Sequence, residues 1–134
     1  SSLNFGWRFK EGTQDFNGTT TDTLTPPVIE YSHGSGPRQG RSITGGIVYT
    51  GPVEALQNAY LFADFISDNV WAVPEAGMTL GSTVSSDAFQ ILTDTLQPDA
   101  GSLSRITSFS EDADRNLYIT TIGGDIFRME AVNP

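Results

Sequence analysis

Three kinds of side chain in this sequence have the types and spacing to do chemistry, and all stand in segments rich in turn-forming residues. The first is the single histidine, His33, inside Ser32-His33-Gly34-Ser35-Gly36-Pro37-Arg38-Gln39-Gly40. An imidazole titrates near neutrality and can serve as a base or a ligand, although a solitary histidine in such a loop is more often simply hydrated. The second is a set of arginines, Arg38, Arg41 and Arg105, whose forked donors together suit a carboxylate or phosphate. The competing reading pairs them with the chain's own acids. The third is Asp112-x-Asp114-x-Asn116, the alternation of oxygen-bearing residues that opens many calcium loops. Leu117 stands where such loops turn on glycine and position 123 is glycine rather than glutamate, so a plain hairpin turn is the stronger reading. Trp7 and Trp71 have the flat faces that stack on sugar rings, but tryptophan in strands more often fills a core.

The elements that must hold these residues repeat. Gly40-Arg41-Ser42-Ile43-Thr44 returns, loosened, as Gly101-Ser102-Leu103-Ser104-Arg105-Ile106-Thr107, an offset of 60 residues measured from Ser42 to Ser102. Each copy is followed by a polar turn, an aromatic strand, a tight turn and another strand. Tyr60-Leu61-Phe62 corresponds to Leu117-Tyr118-Ile119, and Asn69-Val70-Trp71-Ala72-Val73 to Asp125-Ile126-Phe127-Arg128-Met129. A repeat of this period predicts blades around an axis, and an all-β chain. Residues 1–26 read as loop, and residues 27–32 as a lone edge strand after Pro26-Pro27. Residues 42–93 predict a complete four-stranded blade and residues 102–130 a three-stranded one. The count of one, four and three strands predicts two four-stranded antiparallel blades of a six-bladed β-propeller. Other blades would close it, or a ring of three copies in which each lends its strand 27–32 to a neighbour. In that arrangement the loops on one face gather His33, Arg38, Arg41, Ser67, Asp68, Asn69, Ser104 and Arg105, with Gly123-Gly124-Asp125. Gly45-Gly46 inside a strand predicts a close approach of backbone.

Composition narrows the function classes. Sixteen acidic residues against seven basic ones give a formal charge of −9, which repels phosphate backbones and argues against a nucleic-acid partner. The absence of cysteine removes disulfides and thiolate metal ligation. No apolar run reaches the roughly 20 residues of a membrane helix, and the first residues lack the pattern of a signal peptide, so a soluble chain with no membrane partner is expected. Asn17-Gly18-Thr19 fits a glycosylation acceptor and, more simply, a turn.

The segments Asn4-Phe5-Gly6-Trp7, Pro27-Val28-Ile29-Glu30-Tyr31, Ser42-Ile43-Thr44-Gly45-Gly46, Tyr60-Leu61-Phe62-Ala63-Asp64-Phe65 and Ser108-Phe109-Ser110-Glu111-Asp112-Ala113-Asp114 through Leu117-Tyr118, in this order, resemble the glucose/sorbosone dehydrogenase family. The likeness covers nearly the whole chain. It implies the last third of a six-bladed propeller that binds pyrroloquinoline quinone (PQQ) and calcium and oxidises sugars in the periplasm or outside the cell. It also implies that the family's catalytic histidine and aspartate lie in blades outside this chain, and that Arg105 is a quinone-facing cation. Two further cationic positions of the family fall here on Leu103 and on Ser67-Asp68. The expected function is therefore part of a sugar dehydrogenase-like propeller, inactive alone. The alternative is a non-catalytic module that binds a glycan or protein through the same loops.

Overall fold

The computed structural model describes residues 2–132, and these are built from β-strands and short 3₁₀ turns. A small hairpin pairs β1 (Lys10–Glu11) with β2 (Gln14–Asp15). A four-stranded antiparallel sheet follows in the order β3 (Ile43–Tyr49), β4 (Ala59–Asp64), β5 (Val70–Pro74) and β6 (Gln90–Ile91). A three-stranded antiparallel sheet comprises β7 (Ile106–Glu111), β8 (Leu117–Thr121) and β9 (Ile126–Arg128). The sheets expected over 42–93 and 102–130 are both present. No helix among the described residues is long and apolar enough to cross a membrane.

The two sheets are copies in their hydrogen bonding as well as in their sequence. The partner of Ile43 is Asp64, and that of Ile106 is Thr121, so the first strands are offset by 63 residues, not 60. Arg105 thereby stands where Ser42 stands, and each carbonyl accepts from the equivalent amide, Phe65 to Ser42 at 2.7 Å and Ile122 to Arg105 at 3.0 Å. Both first strands carry a bulge of one residue near their start, between Thr44 and Ile47 and, one rung earlier, between Ile106 and Ser108. Bulges re-aim a strand and raise its twist. At the first of them Gly46 lies so close to β4 that a Cβ would run into the Leu61 carbonyl oxygen, which accounts for a glycine inside a strand. The turns match too, with Asn58 and Arg115 at φ 60° and 66°, and Asp68 and Gly124 at φ 60° and 92°.

The sheets stack by opposite faces. Ile47, Tyr49, Ala59, Leu61, Ala63, Val70 and Ala72 on one face of the first sheet share a core with Ile106, Phe109, Leu117, Ile119 and Met129 of the second. By the repeat, Ile106, Leu117, Ile119 and Met129 are counterparts of Ile43, Tyr60, Phe62 and Val73, residues of the first sheet's other face. Thr44 sews the seam, its hydroxyl donating to the Ile106 carbonyl at 2.7 Å in the buried interface. That other face carries a second core of Phe62, Trp71, Val73 and Phe89.

Two expectations are corrected. Residues 1–26 are not wholly loop, because β1 and β2 lie within them. Residues 27–32 form no ladder and do not complete a three-stranded sheet. They lie on the first sheet's second core, through a parallel bridge of Ile29 to Val84 and the packing of Ile29 and Tyr31. Pro26 and Pro27 offer no amide donor, and Tyr31 finds an aromatic neighbour in Trp71, ring centroids 4.8 Å apart. The expected fourth strand, 88–93, contracts to Gln90–Ile91 because a 3₁₀ turn, Ser86–Ala88, precedes it.

Candidate functional site

Asp64 organises the loop-bearing end of the first sheet. It ends an apolar strand and is 0% exposed, yet among the described residues it forms no ion pair. One carboxylate oxygen accepts from the Tyr31 hydroxyl at 2.8 Å and from the amides of Arg41 and Ser42 at 2.6 Å each. The other accepts from the amides of Ile66 and Ser67 at 2.9 and 2.8 Å. Burial works against ionisation, but the donors from Ser67, Ser42, Tyr31 and Arg41 outweigh it and hold the carboxyl below its ordinary range. Burial first, and then the hydrogen bond to Asp64 and its charge, push the Tyr31 hydroxyl far up. Five donors make this aspartate a clamp on the backbone, with no lone pair spare for a proton transfer.

The histidine loop is clamped as well. The buried Asn69 amide donates to the carbonyls of Gly36 and Gln39 at 3.1 and 2.9 Å, and the Trp71 indole donates to the Pro37 carbonyl at 2.8 Å. Arg38 donates through Nε to the Phe89 carbonyl at 3.2 Å. Trp71 is thus core, and it offers no face to a sugar. Trp7, by contrast, is exposed and stacks on Phe16 at 5.1 Å.

The three arginines do not converge. Arg38 is spent on Phe89, Arg41 reaches the Asp64 cluster by its amide alone, and Arg105 lies over the Phe65 ring at 5.4 Å. Among the described residues none of the three forms an ion pair. The Arg105 backbone amide donates to the Asp68 carboxylate at 2.7 Å, so the residue expected to face a quinone is tied through its main chain to an acid. A PQQ tricarboxylate needs several cations in concert, and a lone arginine next to Asp68 with Leu103 and Ser67 nearby in sequence does not fit it. Ser67 caps the same turn, its hydroxyl accepting from the Asn69 amide at 3.4 Å.

Asp112, Asp114 and Asn116 form a hairpin turn. Asp112 accepts from the Asn116 side chain, from the amides of Asn116 and Asp114 at 2.9 Å each, and from the Tyr118 hydroxyl at 3.2 Å. The Asn116 side chain leads these donors in holding its carboxyl below the ordinary range. A cation there would have to displace them all. No cluster of three or more histidine or acidic side chains among the described residues is placed to hold a metal.

What the fold does open is a pair of adjoining clefts of about 310 and 320 Å³ between the β1–β2 hairpin and residues 27–33. Both are lined by Glu11, Gly12, Glu30, Tyr31 and His33; Ser85 and Ser86 close one, and Arg41, Ile43 and Phe62 the other. Glu30 fixes the hairpin by accepting from the Thr13 amide and hydroxyl at 2.7 Å each, and His33 Nε2 lies 3.6 Å from Glu11. Of the residues singled out in the sequence, the structure brings His33 and Arg41 to these clefts and leaves Arg38, Ser67, Asp68, Asn69 and Arg105 outside. Sequence reasoning missed Tyr31, Asp64, Glu11 and Glu30. Asp64 alone carried a signal, a charge closing the apolar run Tyr60 to Ala63.

Comparison with known proteins gives a partial match. The HIPL1 protein of Arabidopsis thaliana is 30% identical over 141 residues, an alignment that takes in 90% of this chain and 20% of that protein. The chain therefore spans about a fifth of the length of the curated relative it matches. No protein-family model and no solved structure matches the chain.

Proposed function

We propose that the chain is two consecutive blades of a β-propeller of the glucose/sorbosone dehydrogenase kind, and that it supplies framework and a binding cleft rather than redox chemistry. The observation that carries this reading is the seam, where one face of a sheet packs on the opposite face of its own repeat. Stacking of that kind can continue around an axis, since each sheet presents to the next what it receives from the last. Quinone-dependent sugar oxidation, with its calcium, would belong to the whole propeller in the periplasm or outside the cell, and would draw its catalytic residues from other blades.

A second reading, a module that binds a glycan or a protein without catalysis, draws support from Arg105. Its amide is held by Asp68 and its guanidinium is occupied with Phe65. Adding PQQ and calcium and following the melting temperature and sugar-dependent dye reduction tests both readings together. The framework role predicts no dye reduction and no shift. A shift abolished by Arg105→Ala would overturn it and restore Arg105 as a cofactor contact.

A further inference from the structure

We infer that Asn17 is the acceptor of an N-linked glycan, a modification site carried by Asn17-Gly18-Thr19 where the β1–β2 hairpin ends. This is the one Asn-x-Ser/Thr triplet in the sequence, and turn and acceptor are the same geometry here. The hairpin continues past β2, the Phe16 amide donating to the Phe9 carbonyl at 2.9 Å and the Asn17 amide to the Arg8 carbonyl at 3.1 Å. It stops at Asn17 because Gly18 takes φ 83°, a left-handed conformation that glycine adopts without a Cβ penalty. From there the chain runs through Thr19 to Pro27 with no strand. Asn17, Gly18 and Thr19 are all exposed. Asn4, Asn69 and Asn116 have their side chains tied into the fold, whereas among the described residues the Asn17 side-chain amide and the Thr19 hydroxyl make no hydrogen bond. Asn17 belongs to neither core and lines neither cleft, so its modification touches neither the seam nor the cleft walls.

The donor is a lipid-linked oligosaccharide diphosphate. The Asn17 side-chain nitrogen attacks the anomeric carbon, and the bond from that carbon to the diphosphate oxygen breaks. The diphosphate leaves with the electron pair, and the nitrogen gives up one of its two protons to a base of the transferase. Such a donor is met on export, so the inference rests on the reading of the whole propeller as periplasmic or extracellular.

The test expresses the full chain behind a cleavable secretion signal in insect cells and reads the intact mass of the secreted protein. An increment of one glycan is expected, released by peptide-N-glycosidase from the undenatured protein with conversion of Asn17 to aspartate. Asn17→Gln and Thr19→Ala should each lack it. A folded, secreted chain without the increment would overturn the inference, as would a glycosidase-sensitive increment that survives Asn17→Gln or one released only after denaturation. Should the chain not be secreted, transfer from the lipid-linked donor to the purified folded chain by isolated oligosaccharyltransferase decides the matter, with Asn17→Gln as control. Because the host imposes secretion, a negative result strikes Asn17 alone. The compartment is read separately, from the fraction of its source in which the native protein lies, and a cytoplasmic location would overturn both readings.

Discussion

At the scale of single residues, the buried pair Asp64 and Tyr31 should set the stability of the fold at both ends of the pH range. The folded carboxyl lies below its ordinary value. Its contribution is therefore complete above the unfolded value of about 4 and is lost as pH falls toward the folded one. Acid titration followed by circular dichroism should show a shallower loss of stability for Asp64→Asn than for the parent chain below about pH 4. Tyr31 is raised instead. Its contribution holds below about pH 10 and fades as the unfolded hydroxyl ionises above it, a fall that Tyr31→Phe should lack. At neutral pH Tyr31→Phe removes a donor to a charged acceptor and should cost about 1.5–3 kcal/mol by denaturant unfolding. Beyond a charge closing the apolar run Tyr60 to Ala63, none of this was legible beforehand. The donors to Asp64 come from residues 2 to 33 positions away, and no local pattern marks an amide that will meet a carboxylate.

At the scale of elements, the close approach of β3 to β4 had a signal in the sequence. Gly45-Gly46 announced a close backbone approach, and β3 presses on β4 at Gly46. Gly46→Ala should lower the unfolding free energy by more than about 1 kcal/mol, the ordinary glycine-to-alanine scale, because the methyl meets a carbonyl that the strand cannot withdraw. Gly45→Ala has open space around it and serves as the control. Strands β4, β5, β7 and β8 were legible because apolar and aromatic residues recur with turn residues between them. Residues 27–32 were misread for the same reason, since a β-branched run after two prolines looks like a strand whichever surface it lies on. Its place was decided by Tyr31 meeting Trp71 and Asp64, contacts that no period encodes. The loop residues Asn69 and Arg38 were read as candidate ligands because polar side chains in a turn look alike whether they face solvent or a carbonyl.

At the scale of the molecule, the repeat was visible in sequence but the way its copies stack was not. The first-strand offset of 63 residues differs from that of the later strands because the two repeats space their strands differently, and only pairing fixes it. Ile43 and Ile106 are the telling pair. They hold the same place in their sheets, yet Ile106 is 0% exposed beneath the first sheet and Ile43 is 58% exposed beside the cleft. The central claim, a repeat stacked face to opposite face, is tested most directly by methyl nuclear Overhauser contacts in the isolated chain. The account predicts contacts from Leu61 and Ala63 to Ile106, Leu117 and Ile119, with none to the methyl of Thr120. Contacts from Leu61 and Ala63 to Thr120, or none between the sheets, would contradict it.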